Sequence, residues 1–146
     1  MPTAAKLFAA LAFAALGFLG GRLFAGQLPE GTPTDIFGPA TAAVGLVCGW
    51  MISGALAGRG YVAAMSTGVR TVVTTAFFAL LAYSIYIMVL RAMRMLYDGP
   101  IEALLGVSAL MLSYARLLAV PEILAMLLVG GLMGGSISEW AGRRWK

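Results

Sequence analysis

Four apolar stretches, each about as long as a bilayer is thick, alternate with short polar connections, and this alternation dictates where the chain can fold. They cover residues 4–24, 36–57, 71–90 and 123–140. Twenty helical residues span roughly 30 Å, the depth of the hydrocarbon layer. The third stretch, TVVTTAFFALLAYSIYIMVL, holds β-branched and aromatic residues that would favour a strand in water. In lipid an isolated strand leaves its amides unpaired, so a helix is expected there as well. With 61% hydrophobic and 11% charged residues and a mean hydropathy of +0.93, the chain cannot coat a soluble domain with polar groups.

The expected fold is therefore all-α, a single multi-pass membrane domain over residues 1–146. Lys6 followed by LFAALAFAALGFLGG resembles the charged and apolar regions of a signal peptide. The small-x-small cleavage context is weak at Phe18–Gly21, which leads into Arg22, so the first span is expected to be retained. Residues 25–35, AGQLPEGTPTD, are a loop by composition, and Gly58–Tyr61 is a flexible turn. Residues 62–70 read either as a short interfacial piece or as the lower turns of the next helix. Beyond Leu90 lie Arg91, Arg94 and Asp98, which are expected to cluster near headgroups, with Arg94 and Asp98 at i,i+4 spacing. Gly99-Pro100 then resets the chain direction.

Residues 101–120 differ from the four spans. Glu102, Gly106, Ala109, Ser113 and Arg116 recur at helical spacing and form a thin polar stripe on one face. Such a segment is expected to be an amphipathic helix lying in the interface or partly inserted, with Glu102, Ser113 and Arg116 as a candidate polar functional stripe. Pro121 starts the last span, and Glu122 stands where a helix N-terminus favours negative charge. With four spans, both termini share a side with Lys6, Arg59, Arg70, Arg143, Arg144 and Lys146, against Glu139 alone. The opposite side mixes Arg22, Arg91, Arg94 and Arg116 with five acids, so the positive-inside rule places both termini in the cytoplasm.

Chemistry is sparse. The chain has no histidine and one cysteine, which removes imidazole ligation, an internal disulfide and a thiolate-rich metal centre. No paired carboxylates and no nucleophile with its base stand out, so neither an enzyme nor a cofactor is expected. No basic face with interleaved aromatics marks a nucleic-acid partner; the basic residues fit membrane lipids. Cys48 is a candidate thiol, though a lone cysteine in an apolar span is more often a small packing residue. The strongest internal signal is glycine. Gly17 with Gly21, Gly45 with Gly49, Gly130 with Gly134 and Gly131 with Gly135 are small-xxx-small pairs. They serve either packing inside the bundle or docking to a larger membrane complex or a second copy.

Six short segments, in order, resemble the TrgA-type tellurium-resistance membrane proteins of alphaproteobacteria. They are MPTAAKL at 1–7, CGW at 48–50, GRGYVAA at 58–64, YDGPIEAL at 97–104, PEILAMLLVGG at 121–131 and EWAGRRW at 139–145. The resemblance implies a small multi-pass protein of the bacterial inner membrane associated with tellurite tolerance. It implies no mechanism and no catalytic residues. A second reading, from the glycine faces, is an accessory, assembly or stabilising subunit of a larger inner-membrane complex.

Overall fold

The computed structural model describes residues 4–145, so Met1–Thr3 of the first resembling segment and Lys146 lie outside the described residues. The described chain is helical throughout, with α1 at Ala4–Ala25, α2 at Phe37–Cys48, α3 at Tyr61–Met93, α4 at Pro100–Leu118 and α5 at Pro121–Arg144. A π-helical turn at Gly49–Ser53 extends α2. Proline occupies the first turn of α4 and of α5, where its missing N–H costs no helical bond.

Four helices are long and apolar enough to cross a membrane, α1, α3, α4 and α5, and the fifth apolar helix, Phe37–Ser53, is shorter. The expected architecture of four long helices plus one is present, but length assigns the roles differently. The second apolar stretch stops being regular at Cys48 because Gly49, Gly54, Gly58 and Gly60 follow in quick succession. The third begins ten residues earlier than Thr71, since nothing between Tyr61 and Met93 breaks the helix. Residues 62–70 are thus the lower turns of α3, and its 33 residues reach roughly 50 Å.

α1 packs along α2 and α5, while α3 packs along α5 and α2, closing a four-helix ring. Glycine makes three of these seams, α1–α2, α3–α5 and α1–α5. A side-chain carbon at Gly45 or Gly17 would collide with the carbonyl of Phe13 or Thr41 across the α1–α2 seam. At Gly21 it would meet the Thr41 hydroxyl, and at Gly49 the Ala9 carbonyl. Between α3 and α5, Gly68, Gly131 and Gly135 leave room for one another's backbone. Gly130 and Gly134 admit Leu16 and the Phe13 ring of α1. All eight glycines singled out by spacing are therefore used within this one chain. Lipid supplies no hydrophobic drive between helices, so close backbone approach takes its place.

α4 folds back along the upper part of α3. Its inner face, Leu110 and Tyr114, joins a core with Phe24, Phe37, Leu80, Tyr83, Ile87 and Ile123. The Phe37 and Tyr83 rings meet edge-on at 4.6 Å, and Tyr83 and Tyr114 lie 5.3 Å apart. Such aromatic pairs add stability beyond their buried area. Ile101, Leu104, Leu105 and Leu112 on the outer face of α4 stay exposed.

Gly45→Ala is expected to lower the thermal unfolding midpoint of the protein in mild detergent. Overpacking of about 1–3 kcal/mol outweighs the ~1 kcal/mol that alanine gains in helix propensity. Gly20→Ala, whose added carbon would stand 3.7 Å from Leu127, is expected to leave the midpoint unchanged or raise it.

Candidate functional site

The most highly organised polar constellation lies at the end of the bundle where α1 begins and α5 ends. Glu139 on α5 is completely buried, at 0% exposure. Its carboxylate accepts the backbone N–H of Gly58 at 2.6 Å and of Gly60 at 3.0 Å. Arg143, one turn further along α5, donates its Nε–H to the same carboxylate at 2.9 Å. Both glycines have positive φ, +95° and +107°, a backbone shape that side-chain-bearing residues rarely adopt, and their amides, either side of Arg59, converge on the carboxylate. A fixed anion thus seals the turn between the π-helical segment and α3.

Aromatic and cationic groups surround this staple. The Arg143 guanidinium lies 4.9 Å from the centre of the Tyr61 ring, and that of Arg144 lies 5.5 Å from the Trp140 ring. Phe8 and Trp145 stack at 5.3 Å. One layer inward, the buried hydroxyls of Ser53 and Ser138 share a hydrogen bond of 3.1 Å. Ser138 also reaches the Gly135 carbonyl at 2.7 Å. The π-helical turn carries Ser53 into this contact by widening the last turn, with the Gly54 N–H bonding Gly49 O at 2.8 Å.

The opposite end is looser. The loop at residues 26–36 covers the top of α3, where the Tyr83 hydroxyl donates to the Pro33 carbonyl at 3.1 Å. Beside it opens a cleft of about 510 Å³, lined by Pro33, Leu90, Arg91, Arg94, Ser113 and Tyr114 among others. The centre of the bundle holds only about 50 Å³ of free space, bounded by Phe13, Leu80, Ile123, Thr41 and Thr75 among others. Both threonine hydroxyls are occupied. Thr41 Oγ1 lies 2.8 Å from the Gly17 carbonyl, and Thr75 donates to Thr71 O at 2.8 Å.

Glu102, Ser113 and Arg116, expected on a polar stripe, all lie exposed on α4, with no hydrogen bond joining one to another. The Glu102 carboxylate accepts the Asp98 N–H at 2.9 Å, closing the turn before α4. Ser113 donates to the carbonyl of Ala109 at 2.9 Å, and Arg116 is exposed. Arg94 and Asp98 do not pair, because α3 ends at Met93 and Met95 turns into the left-handed region at φ +53°. Cys48 is buried at the end of α2. Among the described residues, no three His, Cys, Asp or Glu side chains gather to hold a metal ion. Arg70 stands nine residues inside α3, not in a connection between spans.

Glu139 was the residue missed by sequence reasoning, which treated it only as one charge among basic neighbours. The signal available was the pair of glycines flanking Arg59, since a Gly-x-Gly turn next to an apolar helix leaves amides that need an acceptor. No protein-family model, curated protein or solved structure matches the chain. The fold itself defines the class: an all-α protein with four helices apolar and long enough to span a membrane, and a fifth, shorter apolar helix.

Glu139→Ala is expected to cost about 2 kcal/mol or more, because it strips charged acceptors from two backbone amides. Glu139→Gln, which keeps one carbonyl oxygen, should cost less. Thermal unfolding in detergent, with limited proteolysis at Arg59, measures both; equal stability of all three proteins would remove the staple's importance.

Proposed function

We propose that this chain is a non-catalytic inner-membrane protein that supports tellurite tolerance by associating with other membrane components, not by conducting a solute through its interior. The observation that carries the second half is the narrow, apolar bundle centre. About 50 Å³ of space bounded almost wholly by apolar groups offers neither a water file nor a counter-charge to an oxyanion. An anion placed there would face the full cost of desolvation.

Tellurite enters from the resemblance. Residues 4–7, 48–50, 58–64 and 139–145 are far apart in sequence, yet all contribute to the end stapled by Glu139. Lys6 backs onto Gly54, Gly142 onto Ala5 and Ala57, and Gly49 onto Ala9. The same end gathers Lys6, Arg59, Arg143 and Arg144, which favours a cytoplasmic position for both termini.

An accessory or stabilising subunit of a larger inner-membrane complex is the closely related second reading. It is favoured by the outer face of α3, where an exposed arginine stands without an acidic partner.

Deleting the gene from its host is expected to lower the tellurite concentration that permits growth, and the wild-type chain should restore it. Cys48→Ser should restore it equally, because the Cys48 side chain is buried in the bundle, out of reach of solvent. Unchanged growth of the deletion strain across a tellurite series would reject the tolerance reading.

A further inference from the structure

Arg70 occupies a depth at which a lone exposed charge is rarely left. On α3, Gly68 and Val72 lie against Gly131 of α5, and Gly130 next to it lies against Leu16 of α1. Arg70 is therefore level with the middle of α1. Two features mark the polar boundaries of this bundle. At the lower one, Glu139 holds the Gly58–Gly60 turn just before Tyr61, with exposed Arg59 and Arg143 beside it. At the upper one, Tyr83 bonds Pro33 in the loop that carries exposed Glu30 and Asp35. The helix between Tyr61 and Tyr83 covers roughly 33 Å, about one hydrocarbon thickness. Arg70 stands roughly 14 Å above the lower boundary and 20 Å below the upper one.

The residue faces outward. Ala64, Gly68, Thr71, Val72 and Thr75 turn into the bundle and are buried. Val62, Ser66, Arg70, Val73 and Phe77 form the opposite, exposed seam, with the three-and-four spacing of a helix-docking stripe. Among the described residues the only ion pair is Arg143 with Glu139, so Arg70 has no carboxylate of its own. An arginine at mid-depth costs about 2.5–3.5 kcal/mol even on the mildest insertion scale, and such residues are rarely left facing lipid.

We propose that the Val62–Phe77 seam of α3 is the docking face for a partner membrane helix that presents an aspartate or glutamate to Arg70 near mid-bilayer. The proposal rests on the accessory-subunit reading and names the chemistry of its contact. A lipid phosphate is the weaker fit, because snorkelling serves residues near helix ends and Arg70 lies more than two turns from either boundary. A second copy is also a poor source of the carboxylate. Glu139 is enclosed by its own partners, Glu30 and Asp35 belong to the upper loop, Asp98 and Glu102 lie at the start of α4, and Glu122 lies in the first turn of α5. None of them is level with Arg70.

The test places a photo-crosslinking amino acid at Val73 on the seam, and at exposed Leu128 on α5 as a control, in the full chain within its native membranes. The expected result is one protein adduct from Val73 whose linked segment carries an acidic residue. That adduct should fall to background with Arg70→Leu, persist with Arg70→Lys, and return for Arg70→Glu when the partner's acid is changed to arginine. Purified Arg70→Leu should melt at or above the wild-type temperature, which separates lost docking from misfolding. Adducts to lipid only, to a second copy, or to a protein regardless of the residue at 70 would each overturn the proposal. A stoichiometric partner retained in mild detergent by Arg70→Leu would overturn the seam while leaving the accessory reading intact. A chain that elutes alone under several gentle extractions would overturn both.

Discussion

Close backbone approach at glycine is the interaction on which the rest of this structure depends. In a lipid environment two apolar helices gain little by touching each other rather than acyl chains. Dispersion between well-fitted surfaces must then hold the bundle, and its strength falls steeply with separation. Gly17, Gly21, Gly45 and Gly49 let α1 and α2 approach until backbone meets backbone, and Gly68, Gly131 and Gly135 do the same for α3 and α5. At Gly17, Gly45, Gly68 and Gly135 the fit is so close that an added carbon would overlap a backbone carbonyl of the facing helix. The same closeness lets Thr41 bridge from α2 to the Gly17 carbonyl at 2.8 Å.

The glycine seams bring the polar staple into register. Because α5 slides close along α3, Glu139 arrives beneath the turn that precedes α3, where two amides converge on it. A charge buried there is sustained by the guanidinium of Arg143 and by those amides together, since either alone would leave part of the carboxylate unsatisfied. The start of α1, the end of α5, the π-helical turn and the α2–α3 connection are thereby gathered at one pole. The opposite pole is assembled by aromatic contact among Phe24, Phe37, Tyr83 and Tyr114, and it leaves the cleft beside Arg91 and Arg94 open.

Much of the fold was legible in the residues, and the illegible part has a common cause. Apolar length and the cost of unpaired amides in lipid announced helices over 4–24, 71–90 and 123–140, and each lies within a helix of the structure. Glycine spacing announced close packing without saying which helices would meet, because a small-xxx-small face is complementary to any similar face. The stripe of Glu102, Ser113 and Arg116 satisfied a helical period, yet Glu102 and Ser113 bond locally to their own backbone. Periodicity reports direction around a helix, not the presence of a neighbour. Glu139 was hidden for the complementary reason: its partners are backbone amides, which carry no side-chain signature.

By itself, the sequence determined the environment, the helical class and the places where helices could come near, since each follows from transfer energies and local sterics that act residue by residue. Tertiary structure alone decided that the glycines are used inside the bundle, that Glu139 is a sealed anion, and that Arg70 lies nine residues inside α3, level with the middle of α1, and faces outward. Those facts depend on which helix lies against which and at what height. Such information arises only when segments distant in the chain are brought within a few ångströms, where hydrogen bonds and dispersion begin to act.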